Sequence, residues 1–493
     1  MGHKRILLNW WKALKSVRNR MSVLFRHRAY RVKPEHAHPT QRVVGSPGQD
    51  VLVGEEQRGD SSEVETQFPS TAGPTLDLIL GLDFGTSSSK VAIRSPFTAN
   101  SATFIVPFGR FGHPTNQYLL PTRVFRAVDG AISLENSSSC QAHNDLKIRL
   151  IRMTKEMSSC ADETVRLDQA RAAAYLSLVI KKARSWFLAT QGEFYGHPLI
   201  RWHLHLGIPS AGYDDEPIRR TFKVVADAAW VLSMEELPPT EARALQILDF
   251  LEKGGRASRI SSIDVIPEVI AEVVGYARSS RRDPGLHLLV DIGASTVDIC
   301  SFNLHGHDAE DRYALLTASV EDLGVLWLRQ NQNLGVGIEQ PEDMVAPILD
   351  PALTLRGVQE GFSKKFQQAL LKTLISLKRH RDPNSPRWKT ALPVFISGGG
   401  SQIRAYREMM ADVDWCFQNH TSAKGLRLVK LARPETLKNP DITDDSFRML
   451  AVAYGLSHNR FDYGTITGPS LISDISRSQR QNLEKAYVGK EQV

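Results

Sequence analysis

The amino-acid sequence predicts a mixed α/β protein of two similar lobes around a cleft, and three observations carry that expectation. From Leu76 to about Asn459, short apolar runs of strand type are followed by longer helical stretches, the pattern of buried strands covered by helices. An Asp-x-Gly turn between two apolar runs occurs at Asp83 and Gly85, and again 208 residues later at Asp291 and Gly293, which implies an internal duplication. Finally, 493 residues with 42% hydrophobic and 23% charged content have globular composition and are too many for one simple core.

The elements follow in order from the N-terminus. Residues 1–33 contain no proline, and Leu7, Trp10, Trp11, Leu14, Val17, Met21, Leu24 and Phe25 recur at three-to-four spacing, which predicts a basic amphipathic helix. Residues 34–75 carry Pro34, Pro39, Pro47, Pro69 and Pro74 with the acidic cluster Glu55, Glu56, Asp60, Glu63 and Glu65, and predict a disordered linker. Charge follows this division. Of the 61 Lys and Arg, ten lie in residues 1–34, which hold no Asp or Glu, so the rest of the chain has 51 basic against 54 acidic residues. The first lobe is expected over 76–285, the second over 286–440, a closing helix over 441–460 and a polar tail over 461–493, too short for a further globular domain. No run approaches the roughly 18 to 20 apolar residues of a membrane-spanning helix. Cys140, Cys160, Cys300 and Cys416 are scattered, which excludes a disulfide framework or zinc knuckle and fits a reducing, cytoplasmic setting.

The chemistry is concentrated in three glycine-bearing segments. Leu78 to Ile93 reads as strand, turn, strand. Gly85 admits close backbone approach, the N–H groups and hydroxyls of Thr86, Ser87, Ser88 and Ser89 can ring a phosphate, and Asp83 at the strand end can hold a hydrated magnesium ion. Leu286 to Phe302 repeats the device, so each lobe offers one Gly-turn hairpin to a polyphosphate between them. Pro393 to Ile403 is an apolar strand ending in Gly398, Gly399, Gly400 and Ser401 and opening into a helix from Arg404, a turn suited to flat or anionic ligands.

On these residues the sequence resembles the actin, hexokinase and heat-shock 70-kDa chaperone superfamily of ATP-binding proteins over about residues 76–459. Two linking helices match as well, Ile266 to Ala277 before the second hairpin and Phe447 to Ser457 at the close. The chaperone branch is the most similar, through the strand and small-residue turn Leu204 to Gly212, the hairpin Tyr118 to Phe125, and the helix start Pro267-Glu268. The resemblance implies a duplicated actin-like ATPase fold that takes ATP or ADP with Mg2+. It places Asp83 and Asp291 on water-mediated magnesium, Gly85, Thr86 and Ser87 on the β-phosphate, and Gly293, Ala294, Ser295 and Thr296 on the γ-phosphate. It places Glu268 and Asp298 beside the attacking water, with Asp291 completing the catalytic carboxylates, and the Gly398–Ser401 turn at the adenosine. Carboxylates and a metal suit phosphoryl transfer, which needs positioning and charge neutralisation more than covalent chemistry.

The sequence also departs from that pattern. The family carries a catalytic lysine on the upper first lobe, yet no Lys or Arg lies between Arg126 and Lys147; Lys147 or Arg149 in DLKIRLIR could substitute, but a solvated basic face is the commoner reading of such a run and neither is assigned as catalytic. Ala294 and Ser295 stand where glycine is usual. Slow, magnesium-dependent hydrolysis is therefore expected from an ATP-driven conformational switch, without the chaperones' peptide-binding domain. The alternatives are a membrane-tethered or filament-forming actin relative, and a small-molecule kinase of sugar-kinase type, for which Lys90 is typical. The basic helix 1–33 is expected to meet a protein partner or an anionic membrane surface, ahead of nucleic acid.

Overall fold

The computed structural model describes residues 75–474 except 99–100, 114–115, 157–162, 194, 196–198, 257–261, 307–310 and 333–351. The expected N-terminal helix, the linker up to residue 74 and the end of the tail lie outside the described residues. The described strands and helices fall into two halves, each organised on its own sheet.

The first lobe begins with β1 (Thr75–Phe84), β2 (Ser88–Arg94) and β3 (Thr103–Ile105), followed by the short strands β4 (Leu120–Pro121), β5 (Val124–Arg126), β6 (Ile132–Ser133) and β7 (Gln141–His143). Helices α1 (Leu146–Glu156) and α2 (Glu163–Gln191) lead to β8 (Leu199–Ile208), and α3 (Glu216–Met234) and α4 (Glu241–Glu252) lead to β9 (Ile263–Pro267) and α5 (Glu268–Ala277). The second lobe holds β10 (Gly285–Ile292), β11 (Val297–His305), β12 (Arg312–Glu321), α6 (Val325–Gln330), α7 (Glu360–Ser376), α8 (Arg387–Thr390), β13 (Leu392–Ser397), α9 (Arg404–His420) and β14 (Leu426–Val429). The chain closes through α10 (Asp444–Phe447), α11 (Ala451–Leu456) and β15 (Thr465–Thr467).

The duplication expected from the two hairpins is present in the sheets. The first runs β3-β2-β1-β8-β9 and the second β12-β11-β10-β13-β14, with β15 added beside β12. In both, the first three strands are antiparallel and the next two run parallel to the first. The central strands β1 and β10 are buried on both faces, which is why they read as unbroken apolar runs rather than alternating ones. In the first lobe Leu78, Leu80, Leu82 and Phe84 pack with α2 and α3, and in the second Leu286, Leu288 and Val290 pack with α7 and α9.

A third cluster lies between the sheets and is made by α5 and α11. A Cβ on Gly455 would stand 1.6 Å from the Ala271 carbonyl oxygen, so glycine is what permits these helices to cross in contact. Three expectations change in detail. Tyr118 to Phe125 is not a hairpin of its own, because Leu120–Pro121 joins β2 while Val124–Arg126 joins β6 and β7 in a separate small sheet. The closing segment 447–457 is two short helices broken at 448–450. The polar tail contributes a strand, since Thr465–Thr467 pairs in parallel with β12.

Candidate functional site

Each hairpin positions its turn by the same register. In the first, Asp83 lies across from Lys90, and Lys90 Nζ is 2.9 Å from Asp83 Oδ2. The turn is braced from the residue after β4, where Thr122 Oγ1 donates to the Gly85 carbonyl at 2.8 Å and the Thr122 amide to the Ser87 carbonyl at 2.9 Å. In the second, Asp291 lies across from Asp298. The Gly293 amide donates to the Thr296 carbonyl, and amides from the start of α6 close over the turn, Gly324 onto Ser295, Val325 onto Gly293 and Leu326 onto Ala294.

These turns face one another across a cleft of about 330 Å3. Its walls bring together Asp83, Gly85, Thr86 and Ser87 from the first hairpin and Asp291, Gly293, Ala294, Thr296 and Asp298 from the second. Glu268 at the start of α5 and Gly398, Gly399 and Gly400 after β13 complete the predicted set. Two predicted residues lie elsewhere. Ser295 is folded against Gly324 and faces a small neighbouring recess, and buried Ser401 turns inward, its Oγ donating to the Gly398 carbonyl at 2.7 Å to hold the turn.

Lys147 is the residue that sequence reasoning left without a role. It sits in the first turn of α1, buried, with Nζ 2.7 Å from Glu268 Oε1, and lines the same cleft. Within DLKIRLIR, Leu146 and Leu150 are both buried, so Lys147 stands at the border of the inward stripe while Arg149 is exposed. That spacing was the signal available. Lys90 also lines the cleft, as do Ser397, Arg448 and Met449 near the glycine turn.

The electrostatics of the cleft are those of crowded carboxylates. Burial alone would lower the Lys147 pKa, but the charges of Glu268, Asp83 and Asp298 outweigh it and hold the ammonium above its ordinary value. Burial pushes Glu268 up against the pull of Lys147. Burial, with Asp83 and Glu268 adding to it against Lys90 and Lys147, pushes Asp291 up to about 6. Asp298 rises to about 8, through burial and then the charges of Asp291 and Glu268. The carboxyl oxygen Oδ1 of Asp298 is buried without a hydrogen-bond partner.

An unsatisfied oxygen beside a like-charged pair fits a hard divalent cation such as Mg2+, with Asp291 and Asp298 as the nearest donors and Asp83 across the cleft. Among the described residues no three His, Cys, Asp or Glu side chains converge to hold a metal by themselves, so such a cation would complete its shell with water and phosphate. Gly398 has φ +75, and a Cβ there would stand 2.2 Å from Asp291 Oδ1. The glycine is therefore required both for the turn and for the seat of Asp291.

No protein-family model matches the chain, and no curated protein matches it. Among solved structures, a non-polymerising mutant of MamK bound to AMPPNP is similar at 15% identity, over 78% of this chain and 99% of that one, with a TM-score of 0.37.

Proposed function

We propose that this chain binds a nucleoside triphosphate with Mg2+ between its lobes, hydrolyses it, and uses the exchange as a conformational switch of actin-like ATPase type. The observation that carries this is the pair of equivalent hairpins facing one cleft, with Asp83 and Asp291 at equivalent positions and a glycine turn at its end. Backbone amides in the turns after Gly85 and Gly293 bind the phosphate chain, and Lys90 and Lys147 meet its negative charge. Bound Mg2+ would neutralise the phosphate oxygens and orient the terminal group. Glu268, anchored by Lys147, and Asp298 orient the attacking water, and a carboxylate with a raised pKa is suited to take its proton.

The Pro267-Glu268 helix start, with Glu268 on the cleft wall, supports the heat-shock 70-kDa branch within that class. Helices α5 and α11, in contact at Gly455, form the joint about which the lobes would close. The expectation of slow turnover rested on a missing lysine and on Ala294 and Ser295 in the second turn; Lys147, paired with Glu268 at 2.7 Å on the cleft wall, is the cation available to stand in for that lysine, and the rate of phosphate release decides whether it does. Calorimetric titration of Mg·ATP into the full chain, with phosphate release from the same sample, tests the reading. Saturable binding that is weakened in Asp291→Asn is expected, and absence of binding with or without Mg2+ overturns it.

A further inference from the structure

A second cavity, of about 520 Å3, shares no lining residue with the cleft. It lies between the outer strands of the two sheets. One side is β9, the last strand of the first sheet, and another is Gly464 and Ile466 at β15, the last strand of the second. The early turns of α3 close a third side with Glu216, Arg219, Arg220 and Lys223, and Arg460 stands beside them. The volume falls within the roughly 300 to 1,000 Å3 of small-molecule sites.

Two chemistries line this cavity. Val224, Ile263, Val265, Ile266 and Ile466 contribute apolar residues, and the cations gather on α3 and at Arg460. Those cations are not equally satisfied. Lys223 is paired with Asp227 one turn later, and Arg460 Nη1 is 2.6 Å from Asp264 Oδ1. Arg219 donates to the Tyr213 carbonyl at 3.3 Å and its guanidinium lies 6.0 Å from the Tyr213 ring centre. Among the described residues neither Arg219 nor Arg220 has a carboxylate partner, and the lining acid without a cation partner is Glu216, in the first turn of α3 where the helix dipole favours it. Guanidinium forks bind the oxygens of phosphate in pairs, and a phosphate ester carries close to two negative charges, which matches two arginines left without an acid. The apolar residues opposite them suit a carbon body attached to that phosphate.

We propose that this cavity is a binding site for a phosphorylated small molecule, its phosphate held by Arg219 and Arg220 and its carbon body set against β9 and Ile466. Pro267 lines the cavity and is followed directly by Glu268 on the cleft wall, so an occupant acts on the cleft through the end of β9. Only this coupling rests on the nucleotide reading of the cleft. The site itself is a property of the free protein.

The test is calorimetric titration of the full chain in metal-free buffer, with inorganic pyrophosphate and a hexose bisphosphate as probes. One molecule per chain is expected, with the bisphosphate tighter because it adds a carbon body. Arg219→Gln with Arg220→Gln should weaken both probes about tenfold or more, the loss of charge-assisted hydrogen bonds, whereas Lys90→Gln in the cleft should leave them unchanged. Arg220 is exposed and Arg219 half-buried, so the double variant keeps the fold, which its melting temperature checks. Binding that is lost in Lys90→Gln and kept in the arginine variant places the anion in the cleft and overturns the proposal, as does failure of both probes to bind. A fluorescein-labelled octaglutamate peptide that binds through Arg219 and Arg220 where both probes fail makes the groove a surface for acidic protein segments, and also overturns it. At saturating bisphosphate the Kd for Mg·ATP should change about 5-fold or more in the wild type and stay constant in the arginine variant, and an unchanged wild-type Kd overturns the coupling. A wild type that binds no Mg·ATP yet takes the bisphosphate through Arg219 and Arg220 overturns the functional reading and leaves the site intact.

Discussion

Replacing Lys147 by Met removes the cation that anchors Glu268 while keeping most of the side-chain volume. At their 2.7 Å separation and an effective dielectric constant of about 20, two unit charges attract by about 6 kcal/mol, an upper bound on what is lost. Removing one partner of a buried pair costs about 3 to 5 kcal/mol, because the other charge is left uncompensated. Glu268 is already pushed upward by burial, so it can take up a proton instead of remaining a bare anion. The expected loss is therefore at the lower end, about 3 kcal/mol in urea unfolding. Glu268→Gln in the Lys147→Met background removes the stranded carboxylate and should return most of that stability. Activity should not return. Loss of a charged group aimed at the phosphates is expected to lower single-turnover phosphate release about 100-fold or more, in both the single and the double variant. Lys147→Met with wild-type stability and wild-type hydrolysis would refute the assignment of Lys147 to the cleft machinery.

Three further predictions are independent of that one. An acid whose folded-state pKa lies above its unfolded value favours the protonated form, so the stability it gives is lost as pH rises toward the folded value. With Asp298 near 8, the unliganded protein should melt at higher temperature as pH falls from about 8 to 6.5, and Asp298→Asn should flatten this rise. Below 6.5 the buried His205, His287 and His458, pushed down to about 4, work in the opposite direction and should set a maximum. Gly398→Ala puts an L residue at φ +75 and ψ 171, a region essentially reserved for glycine, costing about 1 to 3 kcal/mol, and displaces Asp291. Its Mg2+ requirement for nucleotide binding should rise, and an unchanged Mg2+ titration would count against the seat described for Asp291. The N-terminal helix proposal predicts that anionic vesicles float the full chain and that Trp10→Ser with Trp11→Ser abolishes flotation. Equal flotation of the two proteins would end it.

The hairpins were legible because their determinants are local: an apolar run, an Asp at the strand end, a Gly in the turn, and a second apolar run. The pattern seen twice implied two similar lobes, but not the strand order within each sheet, which depends on long-range pairing. Lys147 was not legible, because its role comes from Glu268, 121 residues away in sequence. A basic helix start reads as solvated until the second element buries it. Ser295 and Ser401 are placed by contacts of the same non-local or conformational kind. The Gly324 amide donates to the Ser295 carbonyl and the Ser401 hydroxyl to the Gly398 carbonyl, and composition encodes neither contact.

The duplication also breaks its own symmetry at one position, and the break bears on where the proposed cation would sit. Seven residues after the first hairpin's Asp stands Lys90, and seven after the second's stands Asp298, each directly across the ladder from its Asp. The same backbone device thus presents an ion-paired carboxylate on one wall, where Lys90 holds Asp83 at 2.9 Å, and two facing carboxylates with no cation among the described residues paired directly to them on the other. On the proposed reading, a divalent cation entering the cleft would be drawn to the second lobe, and Asp83 would become available only if Lys90 moved to a phosphate. Lys90→Gln separates these two roles. In the absence of nucleotide it should tighten Mn2+ binding, measured by electron paramagnetic resonance, because Asp83 is released to the metal. With Mg·ATP it should weaken nucleotide binding, because a cation near the phosphates has been lost. If Lys90→Gln weakens Mn2+ binding in the free protein, or leaves both affinities unchanged, then Asp83 is not the carboxylate that Lys90 holds in reserve and the asymmetry of the two walls carries no function.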